Sequence, residues 1–360
     1  MMRPLIMSLC LLLTVPAVGQ TVRPSHVLEF EDAPRPPKDA NNAAWAYWKA
    51  WDIVQTEQDR KRFGELMTGG LSKGQKVLSK EQREELSRRR DYIEAVMQAS
   101  AMEECDWGAR HDKGYTALLP HLGFMRASTR ALAMDARRCA EDGNSVACAE
   151  RVVAMLRMAH HVSTDKYLIS ALVGAAVTGT AMNLTEELAK SDLITPAAAR
   201  LILNELKKVN RDDPWHAYSA IDLERKITMD TFRKDWSGPD TTRRFIRLLN
   251  EISSLRGDGT GMHFPRLYLL SFNEQKIERE IQRAEKYFDA LKGAWSKPNS
   301  AVALDELETE ARELQFGIVA YVAGGAFSQT RRSMDRSLRQ IDRVSVKLRA
   351  VVEETKGAAQ

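Results

Sequence analysis

The spacing of apolar residues constrains this chain more than any other feature of its sequence. Between Asn42 and Glu354, apolar side chains recur every three or four residues, and runs of alternating β-branched residues are nearly absent. That period gathers apolar side chains on one face of an α-helix. The sequence therefore predicts an all-α fold of antiparallel helical hairpins, packed as a bundle or as a short solenoid-like array.

Local start and stop signals divide this pattern into separate helices. Ser79 and Gln82 form a capping box, and Thr195-Pro196 and Asp213-Pro214 each pair a capping residue with a helix-starting proline. Beside the helices that begin at these two prolines, we predict helices over 42–55, 79–104, 117–140, 145–162, 166–190, 241–254, 273–295, 301–323 and 330–354. Gly257–Phe272 is the one stretch expected to be extended or irregular.

The first nineteen residues have the layout of a secretory signal peptide. Arg3 precedes an apolar run, Leu5–Val18, and small residues stand at the two positions that a signal peptidase reads. The run is too short to span a bilayer comfortably. We expect cleavage after Gly19 and a mature protein that is exported, either periplasmic or extracellular.

Composition sets the remaining bounds. Residues 20–40 read as a proline-rich linker, and residues 41–360 as a single, mostly helical domain in which a subdivision near 210 stays open. The formal charge of +4 is too balanced to favour nucleic acid. No glycine-rich phosphate loop occurs, so no cofactor is expected. The uncharged stretch Tyr167–Leu184 is only mildly apolar, which favours a buried core helix over a transmembrane helix in the mature chain.

One stretch resembles a known family. It reads LLPHLGFMRASTRALAMDARRCAEDGNSVACAERVVAMLRMAHHV from Leu118, followed by DKYLISALVGAAVTGTAMNLTEELA from Asp165. This rhythm resembles a family of uncharacterised exported helical proteins of planctomycete-type bacteria, over Cys105–Leu206. The resemblance implies a helical fold. The family has no established activity, so it brings no catalytic residues to this chain.

Histidines supply the candidate chemistry. His121 lies near the start of one predicted helix, and His160 and His161 lie near the end of the next, so an antiparallel hairpin sets them at the same level. With three residues of the preceding loop they outline a His/Cys/Asp metal cluster. The loop residues are Cys105, Asp106 and His111. No HExxH, HxH or CxxC spacing supports this cluster, so no metal site is assigned.

The alternative for these histidines is a structural role. His160 shares the apolar stripe of Val153, Leu156 and Ala159, which predicts a hydrogen-bonded imidazole in the hairpin core. His161 shares a face with Arg157 and is expected near the surface.

Aromatic and cysteine residues leave two further questions open. Trp45, Trp48 and Trp51 either anchor the first helix to the core, which is favoured, or form an exposed binding face. Cys139 and Cys148 flank the turn at 141–145, where a disulfide would close the mouth of a hairpin. Cys105 is then the odd cysteine, free or paired between chains.

These observations favour a non-enzymatic protein. There is no GxSxG motif and no serine or cysteine beside a histidine in a known catalytic layout. The leading prediction is an exported interaction or scaffolding module, with a protein or a cell-envelope component as its partner. One alternative is a metal-dependent or hydrolytic enzyme that uses His121, His160 and His161. A second is a bundle that binds an apolar ligand in an interior rich in the chain's 14 methionines.

Overall fold

The computed structural model describes residues 34–54, 77–235, 274–297, 300–323 and 327–357. Within these ranges the chain is all-α and has no β-strand, apart from an isolated backbone bridge between Asn42 and Glu104. The described residues contain twelve α-helices, namely α1 Ala43–Asp52, α2 Lys80–Arg88, α3 Arg90–Ser100, α4 His121–Glu141, α5 Ser145–His161, α6 Leu168–Lys190, α7 Pro196–Leu206, α8 Ala217–Asp235, α9 Glu274–Trp295, α10 Ser300–Arg312, α11 Gly317–Ala323 and α12 Phe327–Gly357. Two 3₁₀ segments cover His111–Thr116 and Pro214–His216. The predicted signal peptide, the helix at 241–254 and the irregular stretch Gly257–Phe272 lie outside the described residues.

The described residues fall into two compact units. The larger unit takes its residues from Ala33–Arg110, Leu118–Ala220 and Ser333–Gln360. The smaller unit takes them from His111–Ala117 and Ile221–Arg332. The subdivision that the sequence left open near residue 210 stays a prediction.

Helix α5 is the centre of the larger unit. It packs against α3, α4, α6 and α7, while α1 packs on α3 and α2 packs on α4. The α4–α5 hairpin turns at Gly143, whose φ of +77° suits glycine, and the Asn144 side chain accepts a hydrogen bond from the Ala147 amide to cap α5. Antiparallel hairpins therefore build this unit, as the sequence predicts.

Helix α6 is the most apolar helix of the described residues. By length and composition alone it could cross a membrane, and 72% of its most apolar window is buried inside the fold. Ser337 of α12 donates a hydrogen bond to the Ala175 carbonyl of α6, and Lys347 pairs with Glu186 at 2.7 Å. Within the larger unit, α6 is therefore packed against other helices along most of its apolar length.

In the smaller unit, buried carboxylates satisfy the first amides of two helices. Glu280 of α9 accepts from the Ile318 amide at 2.6 Å, and Glu308 of α10 accepts from the Ser328 amide at 2.8 Å. The first amides of a helix have no partner within the helix. These long-range caps therefore stabilise the ends of α11 and α12 where they are buried.

Three of the differences between predicted and observed helix boundaries have a local cause. The helix expected over 79–104 is two helices that meet at Arg89, whose ψ of 13° lies outside the helical range. The helix expected over 301–323 breaks between α10 and α11, where Leu314 and Gly317 have φ of +62° and +81°. Helix α4 begins at His121 rather than at 117, because Pro120 precedes it.

Candidate functional site

The chemistry-bearing side chains of the larger unit gather where α1, α4 and α5 meet the segment Glu104–Trp107. Asn42, the N-cap of α1, holds that segment in place. Its Oδ1 accepts from the Asp106 amide at 2.8 Å, and its Nδ2 donates to the Asp106 carbonyl at 2.8 Å. The same Oδ1 also accepts from the Ala44 amide, so one buried side chain caps a helix and anchors a distant segment.

Trp107 lies at the centre of this region, between two other rings. It stacks on His121 with ring centroids 4.4 Å apart and on Tyr47 with centroids 5.9 Å apart. Its indole N–H donates to the His161 carbonyl at 2.7 Å. We call Tyr47, Trp107, His121, His161 and Asp165 the ring cluster. Sequence reasoning missed Trp107, because the residue lies in a loop where helical spacing gives no signal.

Tyr47 and His161 form a buried polar pair. The Tyr47 hydroxyl is 3.0 Å from Nδ1 of His161. Burial lowers the pKa of His161 to about 4, although a hydrogen bond to the Met102 backbone opposes that shift. Burial also raises the pKa of Tyr47 well above its usual value. At neutral pH the imidazole is therefore neutral, its N–H donates to the Met102 carbonyl, and Tyr47 donates to Nδ1. Both ring nitrogens are occupied.

His121 faces a buried carboxylate. Its Nε2 is 3.0 Å from Oδ2 of Asp165, without the alignment of a hydrogen bond. Asp165 accepts from the Ser170 hydroxyl at 2.8 Å and from the Tyr167 amide at 3.1 Å. Because Ser170 donates to the carboxylate rather than to the imidazole, the three side chains are not arranged as a Ser-His-Asp relay.

Cys105 is not poised as a nucleophile. Its thiol is 3.7 Å from the His161 carbonyl, to which it donates, and burial raises its pKa to about 12. The reactive form of cysteine is the thiolate, which such a pKa nearly eliminates at neutral pH. The residue serves here as a half-buried packing group beside Thr164, whose hydroxyl donates to the Cys105 carbonyl at 2.8 Å.

The five residues of the larger unit that were proposed for a metal cluster do not converge. His121 and His161 are buried in the ring cluster, Asp106 is exposed and accepts from the Gly108 amide, and His111 belongs to the smaller unit. Among the described residues, no group of three or more His, Cys, Asp or Glu side chains is placed to hold a metal ion.

The predicted orientation of the two adjacent histidines is wrong. His160 is exposed, whereas His161 is only 3% exposed. His160 therefore does not point into the hairpin core, and its ring instead lies beside that of His216, with centroids 5.2 Å apart. His161 fills the core position that the sequence assigned to His160.

The tryptophans of α1 are half-buried and divide between two roles. Trp48 meets the edge of Phe124 at 6.1 Å, and Trp51 stacks on the same ring at 5.7 Å. These two side chains anchor α1 to α4, as the favoured interpretation has it. The Lys38 ammonium lies over the Trp45 ring, 5.7 Å from its centroid. Trp45 therefore makes a cation–π contact at the surface.

Cys139 and Cys148 are free thiols in the structure, as is Cys105. Both lie in the α4–α5 hairpin, and each is buried. Burial raises the pKa of Cys148 to about 12, and the nearby Cys139 adds to that shift. The disulfide between them stays a prediction.

Taken together, these contacts bury the ring cluster inside the larger unit. Four of its five side chains are at most 4% exposed, and its polar groups contact other groups inside the fold. The arrangement locks α1 and the segment Glu104–Trp107 onto the α4–α5 hairpin.

The chain matches no protein-family model, no curated protein and no solved structure.

Proposed function

We propose that this chain is an exported helical interaction module that binds a protein or a cell-envelope component and performs no catalysis. One observation supports the proposal most strongly: the side chains of the ring cluster are buried and make their polar contacts inside the fold. Catalytic groups must reach a substrate. Here His161 has both ring nitrogens occupied, Cys105 is held as a thiol, and His121 is covered by Trp107.

The same residues argue against the two other candidate functions. A hydrolytic or metal-dependent site built on His121, His160 and His161 would need their imidazoles to converge, but two are buried and one is exposed. An apolar-ligand bundle would need room among its methionines. Met125 and Met155 of the core are 0% exposed and fill the space between helices, as core methionines do.

Three exposed aliphatic side chains, at the start of α5, just before α7 and on α7, are the surface that we assign to a partner. The Thr195 amide donates to the Ser145 hydroxyl at 2.9 Å, which joins the starts of these two helices. Val146 beside this contact is 41% exposed, and Leu201 on the outer face of α7 is also 41% exposed. Leu193, which is 37% exposed, extends the set. Contiguous exposed apolar patches are typical of interaction surfaces, and we propose that these three side chains belong to one.

The signal-like first nineteen residues support export, as does the resemblance to exported helical proteins. Export delivers the chain to the envelope, where its partner would lie. Intact-mass measurement of the protein from its native host should give a chain that begins at Gln20. A mature protein that retains Met1 contradicts export but leaves the interaction proposal to the next experiment.

Photocrosslinking in the native host tests the interaction itself. A crosslinking amino acid replaces Leu201 on the proposed surface or, as the matched control, Arg349, an exposed residue of α12. We expect a discrete adduct from position 201 that position 349 does not give, and Leu193→Asp should weaken it. No adduct from either position, or the same adducts from both, would contradict the proposal.

A further inference from the structure

Two histidines on the surface of the larger unit lie side by side. His160 is the next-to-last residue of α5 and is exposed, and His216 ends the 3₁₀ segment Pro214–His216 and is half-buried. Their ring centroids are 5.2 Å apart with planes inclined by 44°. This pair was not foreseen from the sequence, because 56 positions separate the two residues.

The separation of the rings suits a shared metal ion. An ion about 2.0–2.1 Å from one nitrogen of each imidazole lies about 3.2 Å from each ring centre, so rings at square-planar to tetrahedral angles have centroids about 4.5–5.2 Å apart. The observed distance falls at the upper end of this range. The centroid distance is therefore compatible with one nitrogen of each ring binding the same ion.

The backbone that presents His216 is held in an unfavourable conformation. Trp215 and His216 have φ angles of +55° and +56°, which residues other than glycine rarely adopt. Trp215 holds the turn in place, since its indole N–H donates to the Thr178 hydroxyl at 3.0 Å and its ring lies against Gly174. Such strain persists only where the surrounding structure enforces it, and it is frequent at ligand sites.

The charges around the pair leave both imidazoles in the form that binds metals. Burial lowers the pKa of His216, as does the nearby Lys166, whereas Asp213 and Asp165 oppose that shift. Partial burial and the neighbouring His216 lower the pKa of His160. Both rings are thus neutral at pH 7, and a metal ligand must be a neutral imidazole.

We propose that His160 and His216 form a binding site for a divalent transition metal ion of the class that prefers imidazole, namely copper(II), nickel(II) or zinc. The adjacent His161 cannot be a third ligand, because Tyr47 and the Met102 carbonyl occupy its nitrogens. Both oxygens of Asp213 accept from Tyr218 and Ser219. The proposed site therefore has two protein ligands, His160 and His216. The proposal does not depend on the interaction function.

Copper(II) is the sharpest probe, because it binds nitrogen sites more tightly than the other divalent ions of the series. The untagged full chain is titrated by calorimetry at pH 7 in a non-coordinating buffer. The variants are His160→Gln and His216→Asn, the second chosen because asparagine tolerates a positive φ. His111→Gln removes an exposed histidine of the smaller unit and is the matched control.

The expected result is one copper ion per chain, bound at least tenfold more weakly by either site variant and equally well by the control. The electron paramagnetic resonance spectrum should show two coordinated imidazole nitrogens in the wild type and one in each variant. Circular dichroism melts establish that both variants fold. If the folded variants keep the tightest copper site, or if the wild type binds no copper, the proposal is wrong.

Discussion

Two glycines of helix α6 should respond in opposite directions to the same substitution. A Cβ atom added at Gly174 would lie 2.6 Å from the Ala159 carbonyl oxygen and 2.9 Å from a carbon of the Trp215 ring. A Cβ atom added at Gly179 would meet nothing nearer than a Gln340 side-chain oxygen at 3.9 Å. Gly174→Ala and Gly179→Ala therefore form a matched pair on one helix.

Two opposing free energies set the size of each effect. Alanine stabilises a helix interior by about 0.8–1 kcal/mol relative to glycine, and overpacking a filled core costs about 1–3 kcal/mol. At Gly174 the overpacking cost takes the upper end, because the closest atom is a backbone oxygen that cannot rotate away. We expect Gly174→Ala to lower the free energy of unfolding by about 2 kcal/mol, whereas Gly179→Ala raises it by about 1 kcal/mol.

Thermal unfolding followed by circular dichroism at 222 nm measures both changes. One kcal/mol shifts the midpoint by about 2–4 °C in a unit of this size. Gly174→Ala should therefore lower the midpoint by about 4–8 °C and Gly179→Ala should raise it by about 2–4 °C. If Gly174→Ala melts at or above the wild-type temperature, α5 and α6 are not in close contact at this point.

Other predictions follow from titration, thiol chemistry and export. The folded chain lowers the pKa of His161 from 6.5 to about 4, so its contribution to stability is present above pH 6.5 and is lost as the pH falls towards 4. We expect the free energy of unfolding, measured with urea in the presence of a chelator, to fall by about 3 kcal/mol more between pH 6.5 and pH 4 in the wild type than in His161→Gln. The variant has no titrating ring at this position. Equal losses in the two proteins would refute the assignment. Iodoacetamide should label three cysteines of the unfolded, unreduced mature chain if Cys139 and Cys148 are thiols, and only Cys105 if the predicted disulfide forms. Mass spectrometry of that same sample should show the first nineteen residues absent.

The parts of the fold that depend on neighbouring residues could be read from the sequence. The capping box of Ser79 with Gln82 is present, and Thr195 caps α7 by accepting from the Ala198 amide. The turn at Gly143 joins two antiparallel helices. Each of these features involves residues within about one helical turn, where side-chain chemistry alone selects the backbone conformation.

The candidate site could not be predicted in the same way. Tyr47 contacts His161 across 114 positions of the chain, and the Trp107 indole reaches the His161 carbonyl across 54. Contacts over such distances depend on how the helices pack, which helical periodicity does not specify. Asp165 likewise lies in the short connection between α5 and α6, where no periodic pattern marks it as a buried partner of His121.

The exchange of roles between His160 and His161 has a specific physical cause. Helix α5 is surrounded by four other helices, so its apolar face covers most of the circumference and its outer face is narrow. That outer face carries Glu150, Arg157 and His160 at helical spacing. The half-buried Val153 lies on the same face. Because its side chain is apolar, the sequence wrongly indicated that this face belongs to the core. A rotation of about 100° separates successive residues of a helix, which takes His161 inward to Tyr47 and leaves His160 outside, beside His216. The inward histidine holds the end of α5 in place, and the position of the outward one is fixed by that packing. The position of the proposed metal site thus depends on the buried Tyr47–His161 pair, although neither of these two residues is a ligand.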